Sequence, residues 1–224
     1  MIARRMIAAL MLAGGYLPNS ALAATIRGHI DVHPVRLLDR RPSVYDFARP
    51  VKPATVAPER RPAVVYLETA PQKAFGGREP GKVALDQQHE TFIPHVLPII
   101  VGTTVEFLNS DVTFHNVFSF SKPKRFDLGR YPNGHSRLVR FDTPGIVRVF
   151  CEIHSHMSAY ILVFSHPFFA VTDEAGRYEI AGVPPGSYVV TVWNEATPSE
   201  SRPVRLSADD DVAELDFVLE DQRP

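Results

Sequence analysis

Four side chains that can bind a metal ion fall within one short stretch of the chain. Cys151, His154, His156 and Met157 supply a thiol, two imidazoles and a thioether, and His115 lies upstream at the edge of a predicted strand. Soft sulfur ligands beside imidazole suit copper, and two histidines, one cysteine and a weak axial methionine form the ligand set of blue-copper electron-transfer sites. The residue types and their spacing therefore predict a copper site.

The chain contains one cysteine, and this narrows the possible chemistry. A single Cys among 224 residues allows no internal disulfide, no four-cysteine zinc site and no iron–sulfur cluster built from this chain alone. Zinc held by His, Cys and His remains an alternative, because zinc accepts both types of ligand. We prefer copper, since an axial methionine adds nothing to a zinc site.

Short β-strands must position these ligands. Just before the candidate loop, Val147, Val149 and Cys151 share one face of a predicted strand and Arg148 lies on the other, as the two-residue period of a strand requires. Further short strand patterns are separated by turn residues, and no long stretch has helical periodicity. The sequence thus predicts an all-β protein built from sandwiches.

The chain divides into four predicted parts. Residues 1–23 have the features of a signal peptide, and residues 24–86 combine N-terminal strands with a connection rich in proline and arginine. Residues 87–164 form a first sandwich, which contains the candidate metal ligands, and residues 165–220 form a smaller second one. The strands within 24–86 are assigned provisionally, because they can belong to the second sandwich.

The first 23 residues indicate where the protein works. Arg4 and Arg5 precede the apolar run MIAALMLA, and Ala21-Leu22-Ala23 supplies the small residues of a cleavage site. The run is too short to span a bilayer, and no later segment approaches the roughly 20 apolar residues of a membrane helix. We therefore expect a periplasmic or otherwise exported protein with no membrane span in its mature chain. Its 24 basic and 25 acidic side chains argue against a nucleic-acid partner.

The segment from His89 to Phe164 resembles the cupredoxin family. The residues that carry the resemblance are Asn109, His115-Asn116-Val117, Pro144-Gly145 and the loop Phe150-Cys151-x-x-His154-x-x-Met157. The short loop spacing is most similar to that of amicyanin-like members, and plastocyanin-like members belong to the same group. The resemblance implies a Greek-key β-sandwich that holds one type 1 copper ion.

The resemblance also implies a role for each matching residue. It implies His115, Cys151 and His154 as equatorial copper ligands and Met157 as the axial ligand. Asn109 matches the family's asparagine, which braces the ligand loops without binding the metal. These five residues are the predicted site.

His156 leaves one choice of ligand open. A Cys-x4-His-x3-Met loop, as in azurin-like relatives, would use His156 and would require methionine at position 160, where this chain has Tyr160. We therefore prefer His154. His156 is then a solvent-facing neighbour or an alternative ligand.

The second sandwich resembles the carboxypeptidase regulatory-like, or transthyretin-like, family. The matching pattern is Thr172-Asp173-x-x-Gly176-x-Tyr178-x-Ile180, followed by Pro184-Pro185-Gly186-x-Tyr188. The resemblance implies a structural or binding module without catalytic residues. The family's opening strands are better matched by Thr25–Val32 and Ala63–Leu67. The copper domain is therefore either nested inside this sandwich, between Ala70 and Phe168, or precedes it as a consecutive domain.

These observations predict a periplasmic type 1 copper protein that carries single electrons between a redox-protein donor and acceptor. We expect no enzymatic activity, because the chain lacks Gly-x-Ser-x-Gly, His-Glu-x-x-His and a phosphate-binding glycine-rich loop. An oxidase or reductase subunit would also need a second copper site with additional histidines. The alternative is a copper-binding carrier or sensor module whose second sandwich docks to a partner.

Overall fold

The structure, a computed structural model, describes residues 23–34, 62–69, 80–207 and 212–221. The predicted signal peptide up to residue 22, the proline- and arginine-rich connection and the acidic run 209–211 lie outside the described residues. Within the described ranges the regular secondary structure is β-strand and no helix occurs, so the predicted all-β class is confirmed. Accordingly, these ranges contain no helix with the length and apolar character needed to cross a membrane.

Seventeen strands make up the described part of the chain. In chain order, β1 to β9 are Ala24–Pro34, Val64–Leu67, Lys82–Gln88, Thr91–Ile93, Val96–Ile100, Thr104–Leu108, His115–Ser119, Phe126–Tyr131 and Ser136–Arg140. The strands β10 to β17 are Gly145–Phe150, Ser158–Phe164, Phe169–Val171, Arg177–Val183, Gly186–Asn194, Thr197–Leu206, Val212–Glu214 and Phe217–Asp221.

The two N-terminal strands pair with strands from the C-terminal part of the chain. β1 pairs with β13 in antiparallel and with β16 and β17 in parallel, while β2 lies between β12 and β14. Ile26 of β1, Leu67 of β2 and Val190 of β14 share one buried core. We call β1, β2 and β12–β17 the outer sandwich. β2, which includes most of the segment Ala63–Leu67, thus pairs with β12 and β14 of the C-terminal part of the chain.

The intervening strands β3–β11 form a separate two-sheet unit, which we call the inner sandwich. One sheet has the order β4-β3-β6-β9 and the other has the order β5-β11-β10-β7-β8. The unit starts at Lys82 rather than at the expected residue 87, because β3 pairs in parallel with β6 from the pair Lys82 and Thr104 onward. Buried side chains such as Phe107, Phe141 and Ile161 fill the space between its sheets.

Strand alternation delivers the candidate cysteine to the core side. Val147 and Val149 of β10 are buried, and Arg148 between them is exposed. Cys151 follows β10 directly and is buried. In β7 four of the five residues are buried, Asn116 among them, and Phe118 is half-buried. The expected period of two therefore holds in β10, whereas β7 is covered on both faces near its start.

Aromatic rings join the two sandwiches. The ring centroid of Trp193 in β14 lies 5.1 Å from that of Tyr160 in β11. The ring of Tyr66 in β2 lies 4.9 Å from that of Phe164, also in β11. The junction thus lies against β11, whose first residue directly follows the candidate loop.

A buried histidine lies in the connection from the inner to the outer sandwich. The ring of His166 lies between those of Phe164 and Phe168, with centroid distances of 6.3 and 6.0 Å. Its Nδ1 accepts a hydrogen bond of 3.3 Å from the backbone N–H of Phe168. Burial lowers the pKa of His166 below its usual value, because the charged imidazolium would lose its hydration.

We expect this histidine to make the fold less stable in mild acid. When pH falls below the unfolded pKa of about 6.5, the unfolded chain binds a proton at His166 and the folded chain does not. Stability from this group is therefore complete above that pH and is lost as pH falls toward the lowered folded pKa, by at most about 1.4 kcal/mol per pH unit. Urea unfolding between pH 8 and pH 5 (roughly the range where histidines titrate) measures this slope. His166→Asn, which retains an acceptor for Phe168, should flatten the slope; an unchanged slope would contradict the assignment.

Candidate metal centre

Three candidate ligands come from one end of the inner sandwich. His115 is the first residue of β7, Cys151 directly follows β10, and His154 lies in the turn between β10 and β11. β7 and β10 are neighbouring strands, so their ends are held at a fixed separation. Two backbone hydrogen bonds close the turn, one of 2.9 Å from the N–H of Met157 to the carbonyl of His154 and one of 3.3 Å from the N–H of Cys151 to the carbonyl of Met157.

The donor atoms of these residues form a compact triangle. The Sγ of Cys151 lies 3.7 Å from the Nδ1 of His115 and 3.8 Å from the Nδ1 of His154. The two Nδ1 atoms lie 3.0 Å apart. The point equidistant from all three atoms lies about 2 Å from each, close to the bond lengths of a metal such as zinc to nitrogen and slightly shorter than those to sulfur. The triangle therefore fits one first-row metal ion.

A carboxylate selects which nitrogen of His115 faces the triangle. The Nε2 of His115 lies 3.1 Å from Oδ2 of Asp111 and 3.3 Å from the hydroxyl of Thr113. Because an ionised carboxylate only accepts hydrogen bonds, Nε2 must carry the proton. In the neutral imidazole, Nδ1 is then the nitrogen without a proton, which can bind a metal, and the contacts of Nε2 set the orientation of the ring.

Hydrogen bonds from neighbouring backbone groups favour the ionised form of Asp111. The backbone N–H of Glu90 donates a hydrogen bond of 2.7 Å to the same Oδ2 that contacts His115. The backbone N–H of Val112 donates one of 2.8 Å to the other oxygen. These donors, led by the N–H of Glu90, lower the pKa of Asp111 below its ordinary value. Asp111 was not among the residues predicted from sequence; its position four residues before His115 is the signal that could have indicated it.

Asn109 braces the loop that precedes His115 through three side-chain hydrogen bonds. Its side-chain N–H groups donate to the carbonyls of Thr113 at 2.9 Å and Tyr131 at 3.0 Å. Its side-chain oxygen accepts from the N–H of Asp111 at 3.0 Å. Asn109 is buried, and it links the loop that precedes His115 to β8.

A second asparagine connects the two ligand-bearing segments. The side-chain oxygen of Asn116 accepts a hydrogen bond of 3.2 Å from the backbone N–H of Glu152, which follows the cysteine. Its amide nitrogen donates to Asp127 at 2.7 Å. Sequence analysis included Asn116 in the family pattern without giving it a role. The structure shows that it ties the ligand loop to β7.

The structure separates the two histidines between which the sequence left a choice. His154 lies in the donor triangle with a side chain 17% exposed, whereas His156 is not part of the triangle and its side chain is 63% exposed. Met157 is buried in the core beside the loop, where its backbone groups close the turn. Among the His, Cys, Asp and Glu side chains of the described residues, only His115, Cys151 and His154 form a group of three with donor atoms within 4.8 Å of one another.

A glutamate from another turn reaches the exposed edge of the site. Glu90 lies in the turn between β3 and β4, and its carboxylate is 3.7 Å from the Nε2 of His154 and 3.4 Å from the Nε2 of His156. Val112, Phe114 and Ile153 are exposed on the loops that contain or adjoin these ligands. No spacing in the sequence connects Glu90 with the ligand loop, so sequence analysis missed it.

Comparisons with known proteins give partial matches to solved structures alone. No protein-family model matches the chain, and no curated protein does. The copper-containing nitrite reductase NirK from Thermus scotoductus SA-01 is 32% identical over 39% of this chain and 23% of its own, with a TM-score of 0.37. The chain therefore spans less than a quarter of the length of that reductase.

Smaller copper proteins also match part of the chain. A purple cupredoxin from Nitrosopumilus maritimus is 22% identical over 37% of this chain and 99% of its own, with a TM-score of 0.34. A reduced mutant of amicyanin is 17% identical over 45% of this chain and 98% of its own, with a TM-score of 0.35. The chain is thus similar in part to cupredoxins. None of these TM-scores reaches 0.5, so the similarities do not establish a function for the chain. The donor triangle is the observation from which a function can be proposed.

Proposed function

We propose that this chain is an exported type 1 copper protein that carries single electrons between a redox-protein donor and acceptor. The observation that carries the proposal is the triangle of one sulfur and two imidazole nitrogens at the end of a rigid sheet. Cys151, His115 and His154 would hold one copper ion in the plane, with Met157 as a weak axial ligand. When bound, copper would supply a one-electron redox couple, because it can alternate between Cu(I) and Cu(II).

The chain's own residues prepare the site for this role. Asp111 orients His115, Asn109 braces the preceding loop, and Asn116 ties the cysteine loop to β7. A ligand set held by such contacts rearranges little when the charge of the bound ion changes, which favours rapid electron exchange. His115 is fully buried whereas His154 is partly exposed. The outer edge of His154 would therefore be where a redox partner docks.

The visible spectrum of the chain reconstituted with Cu(II) tests the assignment. A cysteine thiolate bound to Cu(II) together with two histidines should give an intense charge-transfer band and a blue or related colour. Reconstitution with Zn(II) serves as the colourless reference. A Cu(II)-loaded chain without an intense visible band would defeat the type 1 assignment.

The residues at the exposed edge of the site favour a second candidate function, that of a copper carrier or sensor. Glu90 and His156 place one carboxylate and one exposed imidazole directly outside His154, and such donors could accept copper on its way in or out. Fast electron self-exchange with tightly held metal supports the electron carrier. Ready transfer of Cu(I) to a chelating partner supports the copper carrier.

We further infer that the outer sandwich is the structural or docking module that its sequence resemblance implies. None of its described residues belongs to the donor triangle. Its rings pack on β11 next to the ligand loop. In this interpretation the protein resembles a cupredoxin inserted into a carboxypeptidase regulatory-like domain, and the outer sandwich positions it in a larger assembly.

Asp111→Ala should weaken copper binding. Loss of a carboxylate that orients a ligand histidine typically costs about 10- to 100-fold in metal affinity. Competition with a chromophoric chelator measures the affinity. Asp111→Asn, whose single amide oxygen can still accept from the backbone N–H of Glu90 and from His115 but leaves the N–H of Val112 without its acceptor, should recover part of the loss. Asp142→Ala, which removes an exposed carboxylate paired with Arg140, is the matched control; equal effects of Asp111→Ala and Asp142→Ala would contradict the orienting role.

A further inference from the structure

One outer face of the inner sandwich presents a row of aromatic side chains across three strands. Phe118 of β7 is paired with Phe150 of β10, and Arg148 of β10 is paired with Tyr160 of β11. Cross-strand partners project to the same side of a sheet, and so do residues two apart in a strand. Phe120, just beyond β7, continues the row. We call these five residues the aromatic strip.

Each member of the aromatic strip contacts the next one along the strip, from Phe120 at one end to Tyr160 at the other. The ring of Phe118 lies 5.3 Å from that of Phe120 and 5.8 Å from that of Phe150. The guanidinium carbon of Arg148 lies 4.7 Å above the ring of Phe150 and 5.4 Å above that of Tyr160. The outer sandwich covers the Tyr160 end of the strip, whereas Phe120 at the other end is 74% exposed.

A basic hairpin loop borders the open end of the strip. The loop between β7 and β8 carries Lys122, Lys124 and Arg125. Its Ser121 hydroxyl accepts a hydrogen bond of 2.9 Å from the backbone N–H of Arg148, so the loop lies against the strip. Throughout the described part of the chain, no carboxylate forms an ion pair with these three cations or with Arg148.

The charge of this face differs from that of the whole molecule. The chain has a formal net charge of −1, yet Arg148 in the strip and the three cations of the neighbouring loop form no ion pair with any described residue. Charges confined to one hairpin loop and its neighbouring strand lie within about one Debye length, roughly 10 Å at 0.1 M salt, and their fields add. Asp127 of β8, the cross-strand partner of Phe118, adds one negative charge to this face. The four cations outnumber it, so the face has a local positive charge with aromatic groups in its centre.

We propose that the aromatic strip and the basic loop form a docking site for a protein partner with an acidic surface. The positive patch selects an acidic partner by charge complementarity. The strip favours a protein over a lipid surface, because Phe118, Phe150 and Tyr160 lie in the sheet face and only Phe120 projects. Aromatic residues and arginine are also the types enriched at the centres of protein–protein interfaces.

This proposal does not rest on the metal, since all of these contacts exist in the chain itself. It differs from the docking edge at His154, which lies on the loops at the end of the sheet. The two surfaces are nevertheless close, because Phe150 is bonded to Cys151. A partner on the strip would thus lie one residue away from the candidate centre.

An NMR titration of the purified chain with an acidic peptide of alternating glutamate and tyrosine tests the site. We expect shift changes concentrated at the aromatic strip and the basic loop, and weaker binding at higher salt. Arg125→Glu should weaken binding about fivefold at low salt. Arg205→Glu is the matched control, because it makes the same charge change at an exposed arginine of β15 that has no ion pair in the described residues. Equal weakening by both variants, or shifts spread over every basic residue, would overturn the proposal.

Two further comparisons test whether the aromatic side chains contribute to binding and whether a lipid surface or a second copy of the chain binds at this site instead. Phe120→Ser should weaken binding, whereas Leu138→Ser, an exposed apolar residue of β9 on the other sheet, should not. The metal-free wild-type chain and the chain incubated with copper should bind the peptide alike, so failure of the copper assignment leaves this result intact. Sedimentation with phosphatidylglycerol vesicles in the absence of peptide binding, or a dimer that Phe120→Ser dissolves, would overturn the acidic-protein proposal.

Discussion

Replacement of Cys151 by serine is expected to abolish the intense visible band of the Cu(II)-loaded protein. The band requires charge transfer from a thiolate, and Cys151 is the one cysteine of the chain. A serine hydroxyl at the same corner of the triangle cannot replace it, because it is a harder donor and is not ionised at neutral pH. Two imidazoles would remain, so weak and nearly colourless Cu(II) binding should persist. An intense band in the Cys151→Ser chain would contradict the whole ligand set.

Histidine variants provide the matched control for this prediction. His154→Ala should remove the band along with a donor that lies 3.8 Å from the sulfur. His156→Ala should leave the band in place, because its ring points toward Glu90. Absorption and electron paramagnetic resonance spectra of the three variants can be compared directly. Retention of the band in His154→Ala and its loss in His156→Ala would reverse the choice of ligand.

Truncation of Trp193 to alanine is expected to destabilise the protein by about 3 to 5 kcal/mol, as is typical for buried aromatic residues. Trp193 belongs to the outer sandwich, but its ring packs on Tyr160 of the inner sandwich. It shares a buried apolar cluster with Val64, Val96 and Leu162. The alanine variant would leave a cavity at the junction and remove contacts with both units.

Guanidinium unfolding followed by far-ultraviolet circular dichroism measures this loss. Phe120→Ala is the control, because it truncates an aromatic side chain that is largely exposed and should change stability by no more than about 0.5 kcal/mol. In the wild type, fluorescence reports on the junction alone, since Trp193 is the single tryptophan. If Trp193→Ala costs no more than Phe120→Ala, the two sandwiches do not depend on this contact.

Local patterns were sufficient to predict the candidate ligands and the strand class. The alternation of Val147, Arg148 and Val149 places Cys151 on the core side of β10, and the burial pattern agrees. The short spacing from Cys151 to His154 reflects a single turn. Such features depend on residues close together in the chain, so their period and spacing are visible in the sequence.

Other features of the site depend on strands that are distant in the chain. Glu90 reaches His154 from the turn between β3 and β4, and the choice of His154 over His156 depends on where β7 brings His115. Asp111 is close to His115 in sequence, yet its role requires the turn that points its carboxylate at Nε2. None of these contacts produces a period or a motif.

By itself the sequence determined an all-β chain with one cysteine, two nearby histidines and a methionine at a spacing suited to copper. Only the tertiary structure decided that β1 pairs with β13, β16 and β17, so that the inner sandwich lies between two halves of the outer one. Alternation shows which face of a strand is buried but does not show against which strand, because pairing is selected by the packing of the complete core. The same packing brings Cys151, His115 and His154 to the corners of one triangle.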